Sequence, residues 1–183
     1  MTEIKPTDKT RIKSIVALVC CIIVGVTFVA SGSGKAVGFG EIPGQTVEFI
    51  GDILPDAWIT ATTVFILFEI FIPIIMPAIE LLLGIFLLVG FVPRLIAVIC
   101  LPLTLALMGN NIWAIKRGLA TFPDCTCFGI WEDIFGGLTP AQALGYDILL
   151  FILALAIIFL YPGGFLSSRQ WLTRLLSKEA VKK

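Results

Sequence analysis

The residues with the most evident chemistry are two cysteines separated by one threonine, Cys125-Thr126-Cys127, flanked by Pro123-Asp124 and Phe128-Gly129 in the polar stretch Gly118–Pro140. A disulfide across so small a ring braces little. The chain-entropy relation gives about 1.6 kcal/mol for a three-residue loop against about 3 kcal/mol for fifteen residues. Strain in a tight, exposed ring raises its reduction potential, which suits thiol–disulfide exchange. Two other readings of the tripeptide stay open: an inert local disulfide or thiol pair, and a metal site, for which no further ligands are at hand. Lys116 and Arg117 would favour a thiolate here and Asp124 would oppose it. The other cysteines, Cys20, Cys21 and Cys100, fall inside apolar runs, where a thiol packs as a small hydrophobe.

Much other chemistry is excluded by composition. The chain has no histidine, which removes the commonest haem and metal ligand and the commonest neutral-pH acid or base. Thirteen basic and thirteen acidic residues leave a formal charge of zero, so nothing points to nucleic acid. There is no glycine-rich phosphate loop and no Gly-x-Ser-x-Gly elbow.

The elements that must position the cysteines are membrane helices. With 58% hydrophobic and 14% charged residues and a mean hydropathy of +1.02, the chain cannot build a water-facing surface. A bilayer core takes roughly 20 helical residues, and the apolar blocks predict an all-α, four-helix transmembrane bundle with spans at about 13–34, 73–91, 95–113 and 141–161. Pro73 and Pro77 interrupt the long apolar stretch Ala57–Val92 and predict a break or kink there. Ala57–Met76 is then either a span of its own or a partly buried or interfacial helix before span two; charge placement favours the second reading. The first apolar segment is long for a cleaved secretory signal and is read as a retained span.

Lys5, Lys9, Arg11 and Lys13 at the head, and Arg169, Arg174, Lys178, Lys182 and Lys183 in the tail 162–183, place both termini in the cytoplasm. The tail, with Trp171, Leu172, Leu175 and Leu176 among its basic residues, suits either a helix on an anionic leaflet or a solvated segment. An even number of spans follows. Segments 35–72 and 114–140 then lie on the outer face and carry the cysteine pair, together with Trp113, Phe122, Phe128, Trp131 and Phe135, a set suited to an interfacial aromatic belt.

Charges at or inside the spans form the second candidate group: Lys35, Glu69, Glu80 and Asp147. A charge at mid-bilayer costs on the order of 3 kcal/mol on insertion scales, so such residues turn inward and find partners. Lys35 at the outer end of span one is expected to pair with an acid beneath the cysteine loop. By depth Asp147 suits it better than Glu80, while Glu69 is placed to snorkel. The group is either a polar clamp between helices or a route for protons. Gly25, Gly32, Gly34, Gly84 and Gly90 fit close helix packing.

Several motifs in order resemble the MauE/DoxX group of redox-associated membrane proteins. They are Ser31-Gly32-Ser33-Gly34-Lys35, Pro77 to Gly84 with Glu80 between and Leu88-Val89-Gly90 after, Arg117-Gly118, Cys125-Thr126-Cys127-Phe128-Gly129, and Tyr146-Asp147. Thr126 stands where the MauE pattern commonly has glycine. The resemblance covers Arg11–Tyr161. It implies a multi-pass protein of a bacterial inner membrane whose cysteine pair exchanges disulfides with a thioredoxin-like or other redox partner on the outer face. For DoxX-like relatives it implies a link to quinone. The competing expectation is a non-catalytic accessory or anchoring subunit of a larger membrane redox complex.

Overall fold

The computed structural model describes residues 8–37, 44–55, 60–118, 128–132 and 136–161, and every regular element among them is helical. α1 spans Asp8–Val37. A short α2 covers Gly44–Ile53, and α3 covers Ala61–Phe65. A π-helical segment, Ile66–Ile75, leads directly into α4, Met76–Val89. α5 is Pro93–Lys116 and α6 is Pro140–Leu160. Among the described residues, four helices are long and apolar enough to cross a membrane: Ile12–Val37, Thr62–Val89, Pro93–Lys116 and Pro140–Leu160.

Local chemistry sets the ends. α4 stops at Gly90, whose φ of 78° is the left-handed conformation glycine adopts at little cost, and Phe91 N–H reaches back to the Phe86 carbonyl. α5 starts on Pro93, in the first turn, where a missing N–H does no harm. α6 opens with a reciprocal cap: the Thr139 hydroxyl accepts from Gln142 N–H, and the Gln142 side chain accepts from Thr139 N–H.

The break expected at Pro73 and Pro77 is absent. Residues 61–89 are helical without interruption, and the winding changes at the prolines. Over Ile66–Ile75 the ladder loosens, so that Met76 N–H donates to the Phe71 carbonyl five residues back. Pro73 sits within this wider winding and Pro77 in the first turn of α4, where proline's missing donor is tolerated. No residue of the π-helical segment is buried. At about 1.5 Å per residue, the 28 residues Thr62–Val89 exceed a hydrocarbon core of ~30 Å, so this span tilts or extends beyond the core.

α1 packs chiefly on α4 and then on α6, and α5 packs on α6. Buried positions recur at spacings of three and four, as at 140, 143, 147, 150, 154, 157 and 161 and at 93, 97, 100, 104, 111 and 114. That is the period of helices crossing at shallow angles. One end of the bundle is dry, filled by Ala17, Cys20, Cys21, Val24, Leu83, Leu87, Ile96, Ala97, Cys100, Leu150 and Ile157. Near the other end, where α1 finishes and α6 begins, the same stripes carry Ser31, Glu80, Asn111 and Asp147.

α1 and α4 approach closely because glycines face each other. A Cβ on Gly84 would lie 2.7 Å from both the Gly25 carbonyl oxygen and the Val29 nitrogen, and one on Gly32 would lie 2.6 Å from the Leu81 nitrogen. Gly84→Val is therefore expected to push the pair apart and destabilise the protein by about 2 kcal/mol, read as a lowered unfolding temperature in detergent. Gly145→Ala, on a helix face with nothing within 4 Å of its added Cβ, is the control and is expected to be neutral or slightly stabilising.

Candidate functional site

The polar end is organised around the Glu80 carboxylate, which is 0% exposed. Lys35 Nζ donates to both its oxygens, at 2.8 and 2.9 Å, and Ser31 Oγ donates to Oε2 at 2.8 Å. Three hydrogen bonds, two of them from a cation, replace the water this group has lost. On the neighbouring helix pair, Asn111 Nδ2 of α5 donates to Asp147 Oδ2 of α6 at 2.8 Å.

Lys35 pairs with Glu80 and not with Asp147, the partner that depth alone favoured. Helical side chains lean toward their helix N-terminus. α1 arrives at this end of the bundle and α4 departs from it, so Lys35 leans down into the bundle while Glu80 leans up. The two meet between their backbone levels, across the α1–α4 contact that glycines keep narrow. Asn111 and Asp147 meet by the same geometry on antiparallel α5 and α6.

A cavity of about 30 Å³ lies between the two pairs, with Lys35, Glu80, Ser31, Tyr146 and Asp147 in its wall and Phe128 over it. It has room for a water molecule or two among polar partners. Pockets that take drug-sized or cofactor-sized molecules start at roughly 300 Å³, so no quinone ring fits it.

Cys125 and Cys127 lie outside the described residues; the described chain resumes at Phe128, bonded to Cys127. That continuation is docked on the end of α1. Ile130 N–H reaches the Gly34 carbonyl at 3.4 Å, and Trp131 Nε1 points to Ser33 Oγ at 3.3 Å. Gly129 has a left-handed φ of 56°, and a Cβ there would collide with the Gly34 backbone, just as one on Gly34 would collide with Phe128 and Trp131. The Phe128 ring meets Tyr146 edge-on at 6.0 Å, and Phe128 N–H is satisfied by Glu132 Oε1 at 2.9 Å. Gly34 and Gly129 thus serve one close backbone crossing between two segments distant in sequence.

The chain leading toward the cysteines is anchored separately. Gly118, at φ 74°, ends α5. Arg117 pairs with Asp52 of α2 and lies over the Trp113 ring, 5.3 Å from its centroid. Trp113 Nε1 also donates to Asp52, at 2.9 Å, and Phe49 meets its ring edge-on. The Arg117 guanidinium, a candidate for thiolate stabilisation, is engaged in holding α2 to α5. Lys116 is exposed.

The structure therefore brings Lys35, Glu80 and Asp147 to one cavity and leaves Glu69 apart, exposed on the π-helical segment. Of the aromatic set, Trp113, Phe128 and Trp131 make the specific contacts above, whereas Phe122 and Phe135 lie outside the described residues. Sequence reasoning passed over Asn111 as the Asp147 donor and Ser31 as a Glu80 donor. Both fall on the three-four stripe of their helices, which is the signal that finds them.

The family profile described as Methylamine utilisation protein MauE matches residues 13–162. No curated protein and no solved structure matches the chain.

Two substitutions test the site's construction. Lys35→Met leaves Glu80 buried without its cation and is expected to cost about 3 kcal/mol, read by thermal or denaturant unfolding in detergent; adding Glu80→Gln to it should recover most of that loss. Gly129→Ala is expected to lift Phe128–Glu132 off α1 while the helices stay folded, read as a red shift in Trp131 emission and faster proteolysis within residues 118–136.

Proposed function

The chain belongs to the MauE family, and from that premise we propose that it is a membrane-embedded thiol–disulfide exchange protein whose reactive pair is Cys125 and Cys127. The observation that carries this reading is the docking of Phe128-Gly129, the residues directly after Cys127, on Gly34-Lys35 of α1. A pair serving only as a local brace has no need of a tailored seat on the bundle. The Arg117–Asp52 clamp supports the reading from the other side, because it fixes the chain just before it enters the segment that carries both cysteines.

In the direction that oxidises the pair, one cysteine thiolate attacks a sulfur of the partner's disulfide. A mixed disulfide forms and one partner thiolate leaves. The second cysteine, as thiolate, then attacks the mixed disulfide, closing Cys125–Cys127 and releasing the second partner thiolate. Two electrons pass to the partner, and the two protons lost by the pair equal the two its thiolates take up. Reversing every step reduces the pair.

The partner is a thioredoxin-like or other redox protein on the outer face of a bacterial inner membrane, with both termini of this chain in the cytoplasm; the basic head and tail support that orientation. The cavity beneath the docked segment holds only a water or two, so any link to quinone would lie elsewhere. The accessory-subunit reading draws on one specific feature. The π-helical segment buries none of its residues in the bundle and exposes Glu69 among Ile66, Ile70, Phe71 and Ile74, a face suited to another membrane helix.

Trapping decides between the two. In native membranes, Cys127→Ser or Cys125→Ser, but not both, is expected to accumulate a mixed disulfide with a specific protein, seen as a reducible band on non-reducing gels. If neither variant captures a protein and both keep full host-complex function, the pair has no exchange role and the subunit reading stands.

A further inference from the structure

The two buried carboxylates near the polar end are not equivalent, and the difference lies in charge balance. Glu80 is neutralised by Lys35 and fully dressed by three hydrogen bonds. Asp147 is 7% exposed and accepts from the uncharged Asn111. Among the described residues no ion pair reaches it. Two carboxylates and one ammonium around a single cavity leave one surplus negative charge inside a membrane-spanning bundle, a costly arrangement that polar surroundings relieve only in part.

We infer that Asp147 is a proton-binding site, carrying an exchangeable proton at neutral pH that the Lys35–Glu80 pair does not take. Asn111 Nδ2 bonds Oδ2, which leaves Oδ1 to carry the proton and donate toward the cavity. The cavity, with its room for one or two waters, is the path by which that proton exchanges. Groups facing Asp147 come from every packed element. α1 brings Lys35, α4 brings Glu80, α6 itself brings Tyr146, and α5 brings Asn111, its Lys116 lying more than a turn farther on and exposed. The docked segment brings Phe128, its Glu132 being turned onto Phe128 N–H. The single cation in this set is already committed to Glu80, so a proton is the simplest charge that completes the balance. This inference does not depend on the chemistry of Cys125 and Cys127.

Infrared spectroscopy of the full chain in lipid, at neutral pH in water and in deuterium oxide, tests it directly. The expected result is one protonated-carboxyl C=O band that shifts on deuteration. It should move when aspartate is carbon-13 labelled at its side-chain carboxyl, stay put when glutamate is so labelled, and vanish in Asp147→Asn. The labels act on the unmodified protein, so a variant that folds poorly does not obscure the answer. Three results overturn the inference: no such band at neutral pH, a band that follows the glutamate label, and a band that appears only when sodium or potassium is replaced by choline. The last would mean that a monovalent cation supplies the missing charge.

Discussion

The Lys35–Glu80 pair is the contact on which the polar end of this bundle depends. Removing two charges from water costs more than their attraction returns unless the geometry is tight and the remaining lone pairs are filled. Here both carboxylate oxygens face the ammonium and Ser31 adds a third hydrogen bond. The pair in turn requires α1 and α4 to run close together, which is why Gly25, Gly32 and Gly84 stand at their contact. A larger residue at any of these would push the helices apart and lengthen those hydrogen bonds.

That requirement divides the molecule. Toward one end the stripes are apolar and the thiols of Cys20, Cys21 and Cys100 are buried among them. Toward the other, the same stripes turn polar. A disulfide relay through the interior would need a second thiol pair able to reach the first, and cysteines fixed by packing in the dry half are poorly suited to that. On the proposed reading, thiol chemistry at Cys125 and Cys127 would therefore draw its electrons from outside the bundle or pass them there.

Much of this was legible in the sequence, for identifiable reasons. Long apolar blocks leave no alternative to membrane helices, whereas the helix ends at Gly90, Thr139 and Gly118 emerge only from the structure. Continuity through Pro73 was not legible, because a local rule states that proline interrupts an α-helix but not that a π-wound stretch can absorb it. The partner of Lys35 was not legible from depth along the chain either. It follows from the lean of helical side chains and from which helices touch, and the second is a tertiary fact. Asn110 and Asn111 are adjacent uncharged amides, and only the place of Asn111 on the three-four stripe marks it as the inward-facing one.

The two glycine crossings have different consequences. Gly84 against Gly25 and Val29 joins two long helices, and packing elsewhere along α1 and α4 reinforces it. Gly129 against Gly34 joins a short segment to the end of α1, with the Trp131–Ser33 contact, the Ile130–Gly34 hydrogen bond and the ring contact with Tyr146 among its described attachments. Local stability follows the number of buried contacts, so the seat beside Cys127 opens at less cost than the extensive α1–α4 contact. Opening it would withdraw Phe128 from the cavity wall and admit water to Lys35, Glu80 and Asp147. The same contacts thus govern both the position of the chain after Cys127 and the access of bulk water to the buried charges beneath it.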